Sequence, residues 1–380
     1  MYNIISKNSE DFIYLLTCAV NGEVPDKTRC EQIDLDKLYK LASFHSLLSM
    51  TSFVLGQVIK LPENYFQAEK QAIRNQALYN IERSKILSEF EKNGIWYMPL
   101  KGIVLKDLYP KSSLREMVDN DILCDGSKMA EVKKIMESRG YYCKYYGKSH
   151  HDVYTKQPYL AFEMHSALFN EKKEKLYFSY YKNVREKLVK DENNSFGYHF
   201  TNEDFYIFLL CHFRMHYDMA GTGLRSLLDV YVFNKKYYDS LNLDYLSAEL
   251  EKLKLKDFEQ NVRSLSNKLY NGEKLNEDEQ KSVEYYLSSG SRGTNINLIY
   301  SKLNFDDSKK AKRKYLFRRV FPSYDKLKEK NQALEKHKIL YPAFLVFRPV
   351  KGVFSHPKKI LREFKIIKNY KNEENGGKNA

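Results

Sequence analysis

The stretch that decides the fold runs from Lys101 to Asp125, KGIVLKDLYPKSSLREMVDNDILCD. Gly102 opens a short helical pattern, IVLKDLY, and after a polar turn MVDNDILC takes on the character of a strand. Two acids, Asp119 and Asp121, stand one residue apart beside the apolar run Ile122-Leu123. On a strand, residues i and i+2 leave the same face with Cα atoms about 6.5 to 7 Å apart, so the two carboxylates are expected to point together and Asn120 and Ile122 away. Ionised carboxylates that close repel and raise each other's pKa unless a cation lies between them. A divalent ion resolves the conflict. Magnesium takes oxygen ligands and commonly combines one or two carboxylates with substrate phosphates.

Working outward, Gly94 closes an amphipathic run, QAIRNQALYNIERSKILSEFEKN, and IWYMPL follows as a short apolar strand. On the other side SKMAEVKKIMESRG reads as a helix stopped by Gly140, then YYCKYY as a strand, a polar loop containing His150 and His151, and YLAFEMH as a further strand. The order strand, helix, strand, helix, strand, strand is that of a small α/β or α+β unit, and the fold expected over residues 91–170 is α+β with a small mixed sheet. Helical periodicity is expected on both sides: a helical region over 1–90, another over 171–305, and a basic helix and loop region over 306–380. The last residues, NEENGGKNA, read as a frayed end.

A third acid lies in the last strand, where Glu163 stands between Phe162 and Met164 and so projects to the face opposite to them. Paired beside the first strand, it would join Asp119 and Asp121 at one edge. Two ions about 3.5 to 4 Å apart, held by such carboxylates, stabilise both the attacking and the leaving oxygens of phosphoryl or nucleotidyl transfer. D-x-D recurs by chance, and when it stands alone a solvated strand face is the commoner explanation.

The order MPLKG, LYP, Arg115, DNDIL and FEMH resembles the nucleotidyltransferase-like superfamily, most closely the uncharacterised bacterial nucleotidyltransferases with L-K-G, R-x-x-x-D-x-D and E-x-H in that order. The similarity continues through LLCHFRMH, LRSLLD and the late FPSYDKL and ILYPAFLVFRPV, and so covers most of the chain after about residue 90. It implies a magnesium- or manganese-dependent enzyme that moves a nucleoside monophosphate from an NTP to an acceptor and releases pyrophosphate. By motif, Asp119 and Asp121 would ligate metal, and Glu163 would fill the third acidic position and help activate the acceptor hydroxyl. Lys101-Gly102 would take the place of the phosphate turn. Lysine precedes Gly102 and Ile103 follows it, where the superfamily more commonly has Gly-Gly or Gly-Ser.

Lys101 fits either neutralisation of a β- or γ-phosphate or a solvated surface group. Arg115 fits either a phosphate clamp or a partner that positions the aspartates. His212 and His216 share a helix face at i and i+4, but Phe213 stands where a zinc protease carries glutamate. The similar family carries histidines here, and the resemblance implies either a base, sugar or acceptor contact or a buried polar network with Arg225 and Asp229. His165 shares a strand face with Glu163, where it can orient an acid or touch substrate. Ordinary loop histidines account for at least one of His150 and His151.

Across 380 residues, 43% hydrophobic content and a mean hydropathy of −0.61 match neither a membrane protein nor a disordered chain. The N-terminus lacks the basic region and cleavage site of a secretory signal, and five scattered cysteines fit reduced thiols in a cytoplasm. A net charge of +14, concentrated in KKAKRKYLFRR and HPKKILREFKIIKNYK, points to an anionic partner: nucleotide phosphates, nucleic acid or an acidic membrane surface. Two competing readings remain at this level, a two-metal phosphohydrolase and a non-catalytic binding protein on the same fold.

Overall fold

The computed structural model describes residues 5–369 other than 118, 159, 292, 304–307, 329–330, 332–333, 335–336 and 356. The NEENGGKNA end lies outside the described residues. Five helices come first: α1 (Lys7–Asn21), α2 (Lys27–Glu31), α3 (Leu35–His45), α4 (Leu48–Leu55) and α5 (Glu63–Lys92). Side-chain caps set three of their starts, with Ser6, Asp26 and Asp34 each accepting from a backbone N–H three residues on. The run DLDKLYKLASFHSLLSMTSFVLGQVI reads as one apolar period, yet it breaks between α3 and α4. Ser46 adopts a left-handed conformation (φ 54°), and buried His45 bonds the Leu287 carbonyl through Nε2 at 3.1 Å. That tertiary bond lies beyond what local periodicity can report.

The mixed sheet is built from β1 (Tyr97–Pro99), β2 (Asn120–Cys124), β3 (Tyr142–Tyr145), β4 (His151–Lys156) and β5 (Leu160–His165) in the order β1-β2-β5-β4-β3. Only β2 and β5 run parallel; the other neighbours are antiparallel. The short helix α6 (Gly102–Leu105) follows β1, and α7 (Met129–Ser138) links β2 to β3. One strand departs from the sequence reading. His151 does not sit in a polar loop but begins β4, paired with His165 of β5. Within β4, Asp152 and Tyr154 are buried while His151, Val153 and Thr155 are partly open, and this mixture of polar groups on both faces masks the apolar alternation.

After β5 come α8 (Lys175–Tyr180), α9 (Asn202–Met219), α10 (Leu224–Tyr237), α11 (Leu243–Lys252), α12 (Lys256–Tyr270) and α13 (Glu277–Ser289). One apolar core joins α1, α3 and α4 to α9–α13, so helices from the two ends of this span bury a common surface. A second core belongs to the sheet, with Phe90 and Ile86 of α5, Val132 and Met136 of α7, and Phe162 and Met164 of β5. No helix among the described residues is long and apolar enough to cross a membrane.

Candidate active site

Parallel pairing of β2 with β5 puts Asp121 directly opposite Glu163, and Leu123 opposite His165. Asp119 lies just before β2. Asn120 turns the other way and is fully buried, its Oδ1 accepting from Arg83 Nη1 of α5 at 2.7 Å. Asn120 and Asp121 thus turn to different partners, Arg83 of α5 and Lys101, as the alternation of neighbouring strand residues requires. Arg83 also donates to Asn80 at 2.6 Å, so the back of the acidic edge is held by α5.

Asp121 is 6% exposed. Its Oδ1 accepts from Lys101 Nζ at 3.0 Å and lies 2.9 Å from His165 Nε2. Burial works against its charge, but Lys101 and His165 outweigh burial and hold the carboxyl well below the usual range. Glu163 has the opposite fate. Burial, then the charges of Asp121 and Asp119, push it up to about 7. Burial and Asp121 likewise raise Asp119, against the opposing pull of Lys101, Arg225 and Arg115. One of the acids is thus fully compensated while the other two remain short of positive charge.

Lys101 is not a solvated surface group. Its φ of 46° with ψ −114° is a strained conformation for a residue with a Cβ, and its side chain turns inward to Asp121. Gly102 is required by its neighbour: a Cβ there would meet Arg115 Nη1 and come within 3.3 Å of Met117 Cγ. Arg115 itself pairs with neither Asp119 nor Asp121. Its guanidinium meets Asp229 of α10 in a fork, Nε to Oδ1 at 2.7 Å and Nη2 to Oδ2 at 2.8 Å, because that geometry satisfies two donors at once in a buried place. Tyr109 adds a third bond to Asp229 Oδ1 at 2.8 Å. Arg225 donates to the Glu116 carbonyl at 3.2 Å and stands within electrostatic reach of Asp119.

Three histidines gather beside the acids. His165, 2% exposed, has ring centroids 5.0 Å from His151 and 5.5 Å from His150, and His151 Nε2 lies 3.7 Å from Glu163 Oε2. Burial first, then mutual repulsion, lowers His150 to about 3, and burial with His165 and Lys101 lowers His151 to about 4, which keeps both rings neutral. His212 and His216 approach from α9, their Nε2 atoms 3.0 Å apart. Burial and Lys101 depress both, and Asp121 lies within reach of their field, so this helix faces the acidic edge. The pairing of His150 and His151 with this site was missed in the sequence; the HH doublet ahead of an alternating segment was the available signal.

The described residues contain two groups of three potential metal ligands, Asp121-Glu163-His165 and His150-His151-His165, and neither includes Asp119, His212 or His216. Asp121 and Glu163 offer the hard oxygens that suit magnesium or manganese, and His165 adds a nitrogen that manganese accepts more readily. Burial, and after it the charges of Asp121 and Asp119, raise Glu163, and a bound cation would offset both, so the residues present fit a divalent ion.

A family model described as "uncharacterised nucleotidyltransferase" matches residues 31–271, well over half of the chain, from α3 through α12. No curated protein and no solved structure matches.

Proposed function

The chain belongs to the uncharacterised nucleotidyltransferase family, and from that premise we propose that it transfers a nucleoside monophosphate from an NTP to an acceptor hydroxyl or phosphate, releasing pyrophosphate. The observation that carries this reading is the register of β2 and β5, which sets Asp121 beside Glu163 with Asp119 one step ahead of the strand. Asp119, Asp121 and Glu163, with His165 as a nitrogen donor, would hold magnesium or manganese. When bound, such an ion supplies positive charge to the triphosphate oxygens and the reacting α-phosphate.

The chain's own groups account for the rest. Lys101 rests on Asp121, and rotation of its long side chain carries the ammonium to a β- or γ-phosphate oxygen. The Glu163 carboxylate, through its oxygen not turned to the ion, would receive the proton of an acceptor hydroxyl. The freed oxygen forms a bond to the α-phosphorus, the bond from that phosphorus to the β-phosphate oxygen breaks, and pyrophosphate leaves with the electron pair. His212 and His216, paired on α9 within the field of Lys101 and Asp121, are neutral imidazoles that can donate to or accept from a sugar, base or acceptor. Arg115 acts through position: tied to Asp229, it supports Gly102 and the turn that carries Lys101.

The test is incubation of the full chain with each labelled NTP, magnesium or manganese, and a pool of acceptors, beside the Asp119→Asn/Asp121→Asn variant. Metal-dependent pyrophosphate release that the double variant abolishes supports the reading; equal turnover by both proteins rejects it. Release of phosphate from esters with no NTP consumed would instead identify a phosphohydrolase.

A further inference from the structure

The span 309–369, beyond the stretch matched by the family model, holds nineteen Lys and Arg against four Asp and Glu. The whole chain has a net charge of +14, so this one segment accounts for the entire excess. Its helices Lys309–Val320, Tyr341–Ser355 and Pro357–Asn369 are tied together by Arg319 to Glu363 (2.9 Å), Tyr315 to Glu363 (2.8 Å) and Arg348 to the Arg319 carbonyl (3.0 Å).

The same segment leaves large apolar side chains in water. In Tyr341–Ser355, the exposed Ala343, Val346, Phe347 and Phe354 fall at i, i+3, i+4 and i+11, a single helix face, with Phe347 72% and Phe354 82% exposed. In Pro357–Asn369, exposed Leu361 and Phe364 lie at i and i+3 beside exposed Arg362, Lys365 and Lys368. Phe317 and Phe321 are exposed next to Arg318. A helix face that is apolar toward solvent, set among basic groups, is the pattern of helices that lie in a bilayer interface, with rings and branched chains in the acyl boundary and cations at the headgroups.

We propose that the 309–369 helices form a docking surface for an anionic lipid bilayer, on which the protein sits without crossing. Charge selects an anionic partner, and the apolar groups select among anionic partners. A nucleic acid rewards cations and stacked aromatic rings, whereas Val346 and Leu361 have no flat face on which a base can stack. Hydrocarbon takes both kinds of group, and headgroup charge attracts each nearby Lys or Arg. The residues of this surface are none of those named at the acidic edge, and its test does not depend on nucleotide transfer.

The test is co-sedimentation of the full chain with vesicles of phosphatidylcholine alone or mixed equally with phosphatidylglycerol, at about 0.15 M salt. The expected result is at least about tenfold more protein on the anionic vesicles, and loss of that binding in Phe347→Ser/Phe354→Ser with an unchanged melting temperature. Because the comparison of lipids uses the unaltered chain, a poorly folded variant does not blunt it. Equal or no sedimentation with the two vesicles overturns the proposal. So does anionic binding that the double variant retains, or binding to single-stranded RNA or duplex DNA with none to vesicles.

Discussion

Arg115 and Asp229, 114 residues apart, meet in a two-pronged pair that ties the loop before β2 to α10. Both are buried, at 8% and 6% exposure, and Tyr109 completes the carboxylate's partners. Removing one member strands the other charge, which typically costs about 3 to 5 kcal/mol. Asp229→Ala should therefore lower denaturant stability by that order, and Arg115→Met/Asp229→Leu by clearly less than either single change. A double variant as unstable as the sum of the singles would show that the two do not act as a pair.

Gly102 lies under the Arg115 guanidinium, and a methyl group there has nowhere to go. Gly102→Ala should cost about 1 to 3 kcal/mol by overpacking. It should also displace Lys101 from Asp121 and depress NTP turnover. Unchanged melting and turnover in this variant would contradict the close approach.

Glu163 is pushed up to about 7, so folding favours its uncharged form. The stabilisation this gives is complete below about pH 4.5 and is lost as pH rises through 7. Glutamine stays uncharged throughout. Without added metal, Glu163→Gln should match the native chain near pH 4 and exceed it at pH 8 by about 2 to 3 kcal/mol, while turnover falls by about 10² to 10⁴. Identical melting curves at pH 8 would refute the strain assigned to this acid.

His150, His151 and His216 are depressed to about 3, 4 and 4, all by burial first. Their neutral forms favour the fold above about pH 6.5, and that stability is lost as pH falls towards 4 because the unfolded chain takes up the protons. Glu163 titrates in the same window with opposite sign, so the measurement belongs in the Glu163→Gln background. There, melting temperature should fall from pH 6.5 to 4, and His150→Asn/His151→Asn should flatten the slope. A slope unchanged by the double substitution would mean these rings already carry protons in the fold.

Metal should bind more tightly as pH rises through about 7, since Glu163 must release its proton to act as a ligand. Calorimetry with manganese at pH 6, in buffers of different ionisation enthalpy, should detect proton release that Glu163→Gln lacks. The same proton release from both proteins would exclude Glu163 as its source.

Much of the sheet was legible because apolar alternation and glycine stops are local signals: IWYMPL, DNDILC and YLAFEMH all lie on strands, and Gly94 and Gly140 follow helices with φ of 61° and 79°. β4 was hidden because its buried face includes Asp152, which bonds the Gly147 N–H at 2.7 Å, and its other face begins with a histidine. Polar residues satisfied by tertiary contacts leave no hydrophobic period to read.

The sequence by itself determined the α+β class and the concentration of positive charge near the C-terminus, since both follow from residue order and backbone period. Only the tertiary structure decided that β5 lies parallel to β2 in a register that sets Glu163 against Asp121. It also decided that Arg115 answers Asp229 and that the imidazoles of β4, β5 and α9 converge on the acids. Those choices depend on which distant groups can satisfy buried charge, and a period of two or 3.6 residues carries no information about partners far away in the chain.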